Sequence, residues 1–351
     1  MRPILVDKIA SVTMNCELRR EVRVGDEYPC RSGDVIAVRV LTSKSAYNSL
    51  ELASGRFSAL KQGDVVAGAL GHRNALQGYA GTVPSHLKTG DKINILNLGG
   101  VLGVCESYSP LVGAPHECEV LGAVLEFPEL HSRKGTPANI ASRCAPLDQT
   151  LQPGIPSVIA IIGSSMNSGK TEACITIIQQ LVKRGLRVAA AKATGVSLQR
   201  DTLGMEDAGA CKTLTFTELG VVTTSSLTAA PLAKTMLNRL AHENPDVIVM
   251  ELGDGLIGDY GVSAILADPE IAQKFTNIVF AATDPVGAVG GVNILAQRFS
   301  IQPTLITGPT TDNSAGISIL ERELGMVGLN ARHHPTEIAE LLLPLLEPAL
   351  V

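Results

Sequence analysis

Residues 163–171 combine glycine, lysine and hydroxyl side chains at a spacing that can hold phosphate groups. Gly169 lets backbone N–H groups approach an anion closely, and Lys170 brings a positive charge to the β- and γ-phosphates of a nucleotide. The hydroxyl of Thr171 is a suitable ligand for Mg²⁺. These residue types predict a phosphate-binding loop in which Lys170 also acts in catalysis.

The segments on either side of this loop have the patterns that a phosphate loop requires. The β-branched run 158–162 predicts a strand before it, and apolar residues along one face of 177–182 predict a helix after it. Such a helix directs its positive N-terminal end at the loop. Ser164 replaces the usual first glycine of the motif, which stands one place earlier, and the alternative is a glycine-containing turn that binds nothing. We predict a nucleoside triphosphate site made by these loop residues: Gly163, Ser165, Asn167, Ser168, Gly169, Lys170 and Thr171.

Two carboxylates lie where a bound Mg²⁺ could reach them. Glu251 ends the apolar run 247–250, where a charged side chain is costly unless it is paired or bound to a metal. Asp207 stands at the start of a predicted helix and offers a second carboxylate, with Asp201 as the nearby alternative. The predicted metal ligands are therefore Thr171, Asp207 and Glu251, and the alternative for Glu251 is a solvated position in a loop.

A second lysine follows a predicted strand. Lys192 ends the run 187–192, and a cation there can neutralise the negative charge that develops during transfer of a γ-phosphoryl group. We predict that Lys192 is catalytic, the alternative being an ordinary surface lysine.

The chain divides into two halves with different patterns. Residues 1–128 contain short β-branched runs, which predict a small all-β barrel or sandwich. Residues 129–156 are polar and contain prolines, as an interdomain linker does. Residues 157–351 alternate strands with helices, which predicts an α/β domain with a parallel, doubly wound sheet of about seven strands. Turn dipeptides precede three runs of the first half: Gly33-Asp34, Gly63-Asp64 and Gly90-Asp91.

The strands and helices of the second half follow from the same alternation. The predicted strands are 157–162, 187–192, 220–224, 246–251, 277–282, 303–307 and 326–329. The predicted helices lie near 170–184, 206–213, 229–243, 262–274, 287–298, 314–324 and 335–346. Ligands of such sheets bind at the carboxyl ends of the strands, where the candidate residues lie.

Composition argues against several classes of partner. The net charge is −5, no long basic run occurs, tryptophan is absent and aromatic residues make up 3% of the chain. These values speak against nucleic acid or an anionic membrane as the partner. No apolar stretch approaches the ~20 residues of a membrane span, and Asp7 comes too early for a signal peptide. We expect a cytoplasmic protein whose seven cysteines, without a C-x-x-C pair, are reduced thiols.

The order of the candidate groups resembles that of dethiobiotin synthetase, a member of the SIMIBI class of P-loop NTPases. The shared features are the loop 163–170, the strand-end Lys192, the Asp-Ala pair 207–208 and a Glu-x-Gly-x-Gly-Leu loop at 251–256. The resemblance covers residues 156–330. It implies the same phosphate, Mg²⁺ and γ-phosphate roles that are predicted above for these residues.

Two later segments extend the resemblance, and two departures limit it. The segment 284–293 is similar to the glycine-bearing strand-to-helix loop of that family, and 307–313 falls where the family places its adenine-contacting loop. Asn313 is therefore an expected nucleotide contact. The family's phosphate-loop aspartate is Ser165 here and its Glu-Gly-Ala-Gly-Gly loop is altered, so biotin synthesis is not predicted. No N-K-x-D guanine signature occurs, which favours ATP over GTP.

These features predict an ATP- and Mg²⁺-dependent synthetase or ligase that activates a small carboxylate or carbamate by γ-phosphoryl transfer. A small-molecule kinase is one alternative, and an NTP-driven switch or metallochaperone is another. The substrate is expected to be small and anionic.

The role of the first half stays open at this point. Its loop 71–79 contains His72 and Arg73, which could bind an anionic substrate, since arginine suits planar carboxylates. A purely structural or oligomerising role is an equal alternative. The small residues and apolar helices of the second half could support a homodimer, as in the resembling family.

Overall fold

The computed structural model describes residues 1–128 and 134–346, and the chain forms two compact units. The first, called the β unit, comprises Met1–Ala145, Val196–Arg200 and Phe216–Thr223. The second, called the α/β unit, comprises Pro146–Gly195, Asp201–Thr215 and Thr224–Val351. After it first enters the α/β unit, the chain thus contributes two further segments to the β unit.

The β unit is built from short strands. In its described residues these are β1 (Arg2–Leu5), β2 (Lys8–Ile9), β3 (Glu21–Gly25), β4 (Val35–Val40), β5 (Ser49–Glu51), β6 (Phe57–Ala59), β7 (Val65–Leu70), β8 (Arg73–Asn74), β9 (Tyr79–Thr82), β10 (Lys92–Ile95), β11 (Val101–Tyr108), β12 (His116–Glu126) and β13 (Thr136–Pro137). All except β5 and β6, which pair with each other, belong to one sheet. Five strands close a ring in the order β4, β7, β11, β10, β12 and back to β4. This small barrel confirms the all-β half that the sequence predicts.

The three Gly-Asp dipeptides form equivalent turns before β4, β7 and β10. Gly33, Gly63 and Gly90 have φ angles of +90°, +94° and +91°, a left-handed conformation that glycine adopts without steric cost. In each turn the aspartate side chain that follows accepts a hydrogen bond from the backbone N–H three residues earlier, at 2.8, 2.7 and 2.9 Å. These local bonds fix where each strand begins.

The two late segments are built into the β unit. Val222 packs in its hydrophobic core, and the side-chain amide of Asn97 donates a hydrogen bond to the backbone oxygen of Ser197 at 2.7 Å. The buried carboxylate of Glu51 accepts hydrogen bonds from the backbone N–H groups of residues 199 and 200, at 2.8 and 2.7 Å. These contacts join the segments Val196–Arg200 and Phe216–Thr223 to the β unit.

The α/β unit contains a six-stranded sheet in its described residues. The strands are β14 (Ser157–Gly163), β15 (Val188–Thr194), β16 (Lys212–Thr215), β17 (Val247–Leu252), β18 (Phe275–Ala281) and β19 (Leu305–Thr307). They lie in the order β16, β15, β17, β14, β18, β19, and every neighbouring pair is parallel. Every residue of β14 and β17 is buried, as expected when helices cover both faces of a parallel sheet. The predicted α/β fold is confirmed.

The helices alternate with these strands. They are α1 (Lys170–Lys183), α2 (Arg200–Asp207), α3 (Ala229–Ala241), α4 (Val262–Ala267), α5 (Pro269–Ala272), α6 (Pro285–Phe299), α7 (Ser314–Leu324) and α8 (Pro335–Leu342). Short 3₁₀ turns lie at Ser11–Cys16, Phe216–Leu219, Pro309–Thr311 and Leu343–Leu345. Across residues 1–128 and 134–346, none of the helices has both the length and the apolar character needed to cross a membrane.

Two predicted strands are absent from the parallel sheet. The run 220–224 lies mostly in the segment Phe216–Thr223, and its apolar Val222 packs in the core of the β unit instead. The run 326–329 contributes only an isolated bridge between Gly328 and Ile306. The sixth strand is β16, which the sequence analysis missed, so the described sheet has six strands and not about seven.

Three predicted helices have different bounds. α2 ends at Asp207 and does not occupy 206–213, because Gly209 adopts a φ of +103° and the chain then enters β16. The predicted helix 262–274 is two helices, since Asp268 has an extended backbone and caps α5. The α-helix predicted over 335–346 ends at Leu342 and continues as a 3₁₀ turn.

The unit boundaries differ from the predicted linker 129–156. Residues 129–133 lie outside the described residues. Residues 134–145 belong to the β unit, where β13 pairs with β12 and Asn139 donates a side-chain hydrogen bond to Asp34 at 2.8 Å. Residues 146–156 belong to the α/β unit, and the side-chain oxygen of Asn238 accepts a hydrogen bond from the backbone of Gln152 at 2.8 Å.

Replacing Gly291 by alanine should destabilise the α/β unit, because the added Cβ would collide with the buried ring of Phe280. We expect the free energy of unfolding to fall by about 1–3 kcal/mol, the usual cost of overpacking. Gly290→Ala is the matched control in the same helix, since no atom lies within 4 Å of its Cβ position. Urea unfolding of both variants measures the difference, and equal losses would contradict this packing.

Candidate functional site

The loop between β14 and α1 closes tightly over the end of its strand. β14 ends at Gly163 and α1 begins at Lys170, preceded by Gly169 with a φ of +92°. Asn167 also has a positive φ, of +60°. A side chain at Gly163 would collide with the hydroxyl of Ser168 and lie 2.9 Å from the side chain of Lys170. The loop therefore requires a glycine at position 163, one place before the usual position.

Lys170 lies inside this loop. Its side chain is almost fully buried, and its Nζ donates hydrogen bonds to the backbone oxygens of Ser165 at 2.8 Å and Asp254 at 2.6 Å. Burial lowers the pKa of Lys170, although the carboxylates of Glu251 and Asp254 act in the opposite direction. Because these hydrogen-bond acceptors are neutral carbonyls, the ammonium group can exchange them for the charged oxygens of a phosphate.

The carboxylate of Glu251 lies beside the hydroxyl of Thr171. β17 pairs with β14 in parallel, with Glu251 opposite Ile161, so the end of β17 reaches the first turn of α1. Thr171 Oγ1 is 3.2 Å from each carboxylate oxygen. Burial raises the pKa of Glu251, although Lys192 and Lys170 oppose this shift. The structure thus brings together two of the three predicted metal ligands.

Lys192 lies opposite Glu251 on the neighbouring strand β15. It forms an ion pair with Asp201, and the two side chains are only 12% and 6% exposed. Although burial opposes the charge, the carboxylates of Asp201 and Glu251 raise the pKa of Lys192. Lys192 is therefore a charged, enclosed side chain at the strand ends, and the alternative of a surface lysine does not apply.

Asp207 is not part of this group. Because α2 begins at Arg200, Asp207 is the last residue of the helix and is exposed. Asp201 lies in the first turn of the same helix and is buried. The carboxylate that accompanies Glu251 is thus Asp201, the alternative that the sequence offered, and the error came from placing the start of the helix too late.

The residues that follow β17 pack against the phosphate loop. A Cβ on Gly255 would lie 2.9 Å from the Cα of Ser165, and the backbone N–H of Leu256 donates a hydrogen bond to Gly163 O at 2.8 Å. Asp254 contributes its backbone oxygen to Lys170, a role that its residue type does not indicate. Gly255 is the residue in the sequence that indicates this close approach of the chain after β17 to the phosphate loop.

The loop 307–313 contacts the phosphate loop at Ser168 and Gly169. A side chain at Gly308 would collide with the backbone oxygen of Ser168. Asn313 caps α7, and its side-chain oxygen accepts hydrogen bonds from the N–H groups of Ala315 and Gly316 at 3.1 and 3.2 Å. The loop is therefore placed beside the phosphate loop, and the nucleotide contact of Asn313 stays a prediction.

The segment 284–293 is mainly helix and not loop. Asp284 caps α6 and accepts a hydrogen bond from the backbone N–H of Gly287 at 2.9 Å. This bond lowers the pKa of Asp284. A Cβ on Gly287 would lie 3.5 Å from that of Ser164, so the first turn of α6 borders the phosphate loop.

The oxygen atoms of this site suit Mg²⁺. Within the described part of the chain, no three or more His, Cys, Asp or Glu side chains are grouped so as to hold a metal ion by themselves. Mg²⁺ commonly takes one or two carboxylates and completes its shell with water and substrate phosphates. A donor set of this kind is present in the Thr171 hydroxyl and the Glu251 carboxylate. Asp201 is linked to them through Lys192.

Comparisons with known proteins cover part of the chain. No protein-family profile matches it, and no curated protein sequence matches it. Similar solved structures include cell division protein ftsY from Thermotoga maritima, with 20% identity over 58% of this chain and 73% of that chain and a TM-score of 0.37. Signal recognition particle 54 kDa protein from Aeropyrum pernix, in complex with GDP, has 18% identity over 55% and 49% of the two chains and a TM-score of 0.37. A duf1611 family protein from Anabaena variabilis has 14% identity over 59% and 63% and a TM-score of 0.40.

The fold of the α/β unit is that of a P-loop NTPase domain. This assignment follows from its own parallel strand order and from the loop that joins β14 to α1.

Replacing Asp201 by asparagine should destabilise the protein, because Lys192 would lose its buried partner. We expect the free energy of unfolding to fall by about 3 kcal/mol, as when one member of a buried ion pair is removed. Asp207→Asn, on the exposed end of the same helix, should change it by less than about 0.5 kcal/mol. Denaturant unfolding compares the two variants, and a larger loss for Asp207→Asn would restore Asp207 to the site.

Proposed function

We propose that this chain is an ATP- and Mg²⁺-dependent synthetase or ligase that activates a small carboxylate or carbamate by γ-phosphoryl transfer. The observation that carries the proposal is the position of Lys170, whose ammonium group is buried in the phosphate loop and bonded to neutral oxygens. The resemblance of residues 156–330 to dethiobiotin synthetase supports the reaction type.

Triphosphate binding would begin with a change of partners at Lys170. The ammonium group would leave the carbonyl oxygens of Ser165 and Asp254 for phosphate oxygens, a stronger charge-assisted interaction. The backbone N–H groups at the start of α1 would add donors, helped by the positive end of the helix. Asn313 is proposed to contact the adenine ring through the part of its side chain that does not cap α7.

Mg²⁺ would be held by Thr171 and Glu251, with Asp201 in the place that Asp207 has in the sequence prediction. When bound, the ion supplies positive charge to the β- and γ-phosphates.

Lys192 would act on the transferred group. Its charge is maintained by two carboxylates, and it stands at the strand ends beside Glu251. A preorganised cation in an enclosed site stabilises the negative charge that spreads over the γ-phosphoryl oxygens as the substrate oxygen attacks. Positioning and electrostatics are the main demands of phosphoryl transfer, and these side chains provide both.

Replacing Lys170 by methionine should weaken binding of ATP in the presence of Mg²⁺ by about 10- to 100-fold, the loss expected for a charged hydrogen bond. Lys183→Met is the matched control, because Lys183 is the exposed last residue of the same helix. Isothermal titration calorimetry measures both variants, with GTP as a competing nucleotide. Unchanged affinity in Lys170→Met would refute this nucleotide site, and a preference for GTP would refute the choice of ATP.

The reaction type is tested by an isotope experiment on a carboxylate that stimulates ATP turnover. In a ligase, an ¹⁸O-labelled carboxylate oxygen attacks the γ-phosphorus, ADP leaves, and a second nucleophile then releases phosphate that carries the labelled oxygen. We expect one ¹⁸O atom per released phosphate by mass spectrometry. Phosphate retained on the product would indicate a kinase, and unlabelled phosphate would indicate simple hydrolysis, as in an NTP-driven switch.

A further inference from the structure

Two cations of the β unit share one tyrosine ring. The Nζ of Lys44 lies 5.2 Å from the centre of the Tyr79 ring, and the guanidinium carbon of Arg73 lies 5.8 Å from it. Arg73 also lies 5.6 Å from the ring centre of Tyr47, which packs edge-on against Tyr79 at 5.5 Å. We call these four residues the tyrosine–cation cluster. Its residues lie outside the nucleotide site described above.

The cluster has no negative charge of its own. In residues 1–128 and 134–346, neither Lys44 nor Arg73 forms an ion pair with a carboxylate. Burial raises the pKa of Tyr79 to about 12 and also raises the pKa of the neighbouring Cys105 thiol. Both groups are therefore neutral at physiological pH and cannot act as counter-ions. A buried guanidinium such as that of Arg73, without a counter-ion, is costly for a folded protein.

The hydrogen bonds of the cluster leave one guanidinium N–H without an acceptor. Arg73 is 8% exposed, and its Nε is buried without a hydrogen-bond partner. Tyr79 accepts a hydrogen bond from Lys44 at 2.5 Å, and Tyr47 accepts one from Arg73 at 3.0 Å. Each tyrosine hydroxyl uses its oxygen in this bond and keeps its own proton to donate. The cluster thus offers two positive charges and three N–H or O–H donors.

We propose that the tyrosine–cation cluster binds the carboxylate group of a small molecule. A carboxylate supplies the missing charge and accepts several hydrogen bonds at once, and the planar guanidinium matches its geometry. Lys44 is only partly buried, so a ligand can approach from its side. The choice of a carboxylate rests on the proposed function, whose substrate belongs to this class.

His72, the other residue suggested by the sequence, is not part of the cluster. Its side chain is exposed, and its Nδ1 accepts a hydrogen bond from the backbone N–H of Val83 at 3.4 Å.

The test needs no nucleotide, so its outcome is separate from that of the proposed function. Acetate and succinate are titrated into the full-length protein at constant ionic strength, with chloride as the reference anion, and the melting temperature and tyrosine fluorescence are recorded. The chain has no tryptophan, so the fluorescence comes from five tyrosines, two of which are in the cluster. We expect a saturable response to at least one carboxylate that chloride does not produce.

Two variants of the cluster test whether the carboxylate response arises there. Tyr47→Phe keeps the ring and removes only the hydroxyl, and Lys44→Gln removes a partly exposed charge, so both should fold. We expect each to weaken carboxylate binding by about tenfold or more, the size of a lost hydrogen bond to a charged group. Tyr28→Phe is the matched control, because the Tyr28 hydroxyl bonds to Thr89 elsewhere in the β unit, and its affinity should equal that of the wild type.

Two outcomes would overturn the proposal. One is the absence of any saturable carboxylate response in the wild-type protein. The other is an unchanged response in both Tyr47→Phe and Lys44→Gln, even if these variants melt at lower temperature, because the cluster would then be structural. Loss of carboxylate binding in these variants with ATP affinity unchanged supports it. If wild-type protein binds carboxylate but not ATP, the proposed function fails and the cluster stands.

Discussion

The parallel register of β15, β17 and β14 is the constraint on which the candidate site depends. Lys192 and Glu251 lie opposite each other because their strands run in the same direction, and the end of β17 meets the start of α1 for the same reason. Side chains alternate between the faces of a strand, so a slip of one residue would turn Glu251 away from Thr171. The complete burial of β14 and β17 makes such a slip costly, and the core of the sheet thereby fixes the geometry of the candidate site.

The two sites of the protein differ in how their charges are balanced. In the α/β unit Lys170 and Lys192 lie among carboxylates, so their positive charges are opposed by negative charge before a ligand arrives. A magnesium–triphosphate complex would bring both its own cation and its own anion into this setting. In the tyrosine–cation cluster the cations have only neutral partners, which leaves the negative charge to be supplied by the ligand.

Local signals made much of the fold and part of the site predictable. The phosphate loop, its flanking strand and helix, and the three Gly-Asp turns are set by residues that are neighbours in sequence, and each was predicted from them. Asp207 falls at the end of α2 and not at its start, because the helix begins at Arg200, earlier than the local pattern indicates. The run 220–224 has the composition of a strand, but Val222 packs into a core whose other buried residues all lie more than eighty positions earlier, which local pattern does not reveal. The hydrogen bond from Lys170 to the carbonyl oxygen of Asp254 could not be predicted either, because every residue type has a backbone carbonyl.

The late segments of the β unit have a consequence for the order of events on the ribosome. Val222 packs in a core whose other buried residues are synthesised earlier. The backbone at residues 197 and 199 likewise bonds to the amide of Asn97 and the carboxylate of Glu51, which are also synthesised earlier. A nascent chain that has emerged only to residue 145 therefore leaves Glu51 without its amide donors and the barrel core without Val222. The β unit therefore stays incomplete until more than seventy further residues have left the exit tunnel.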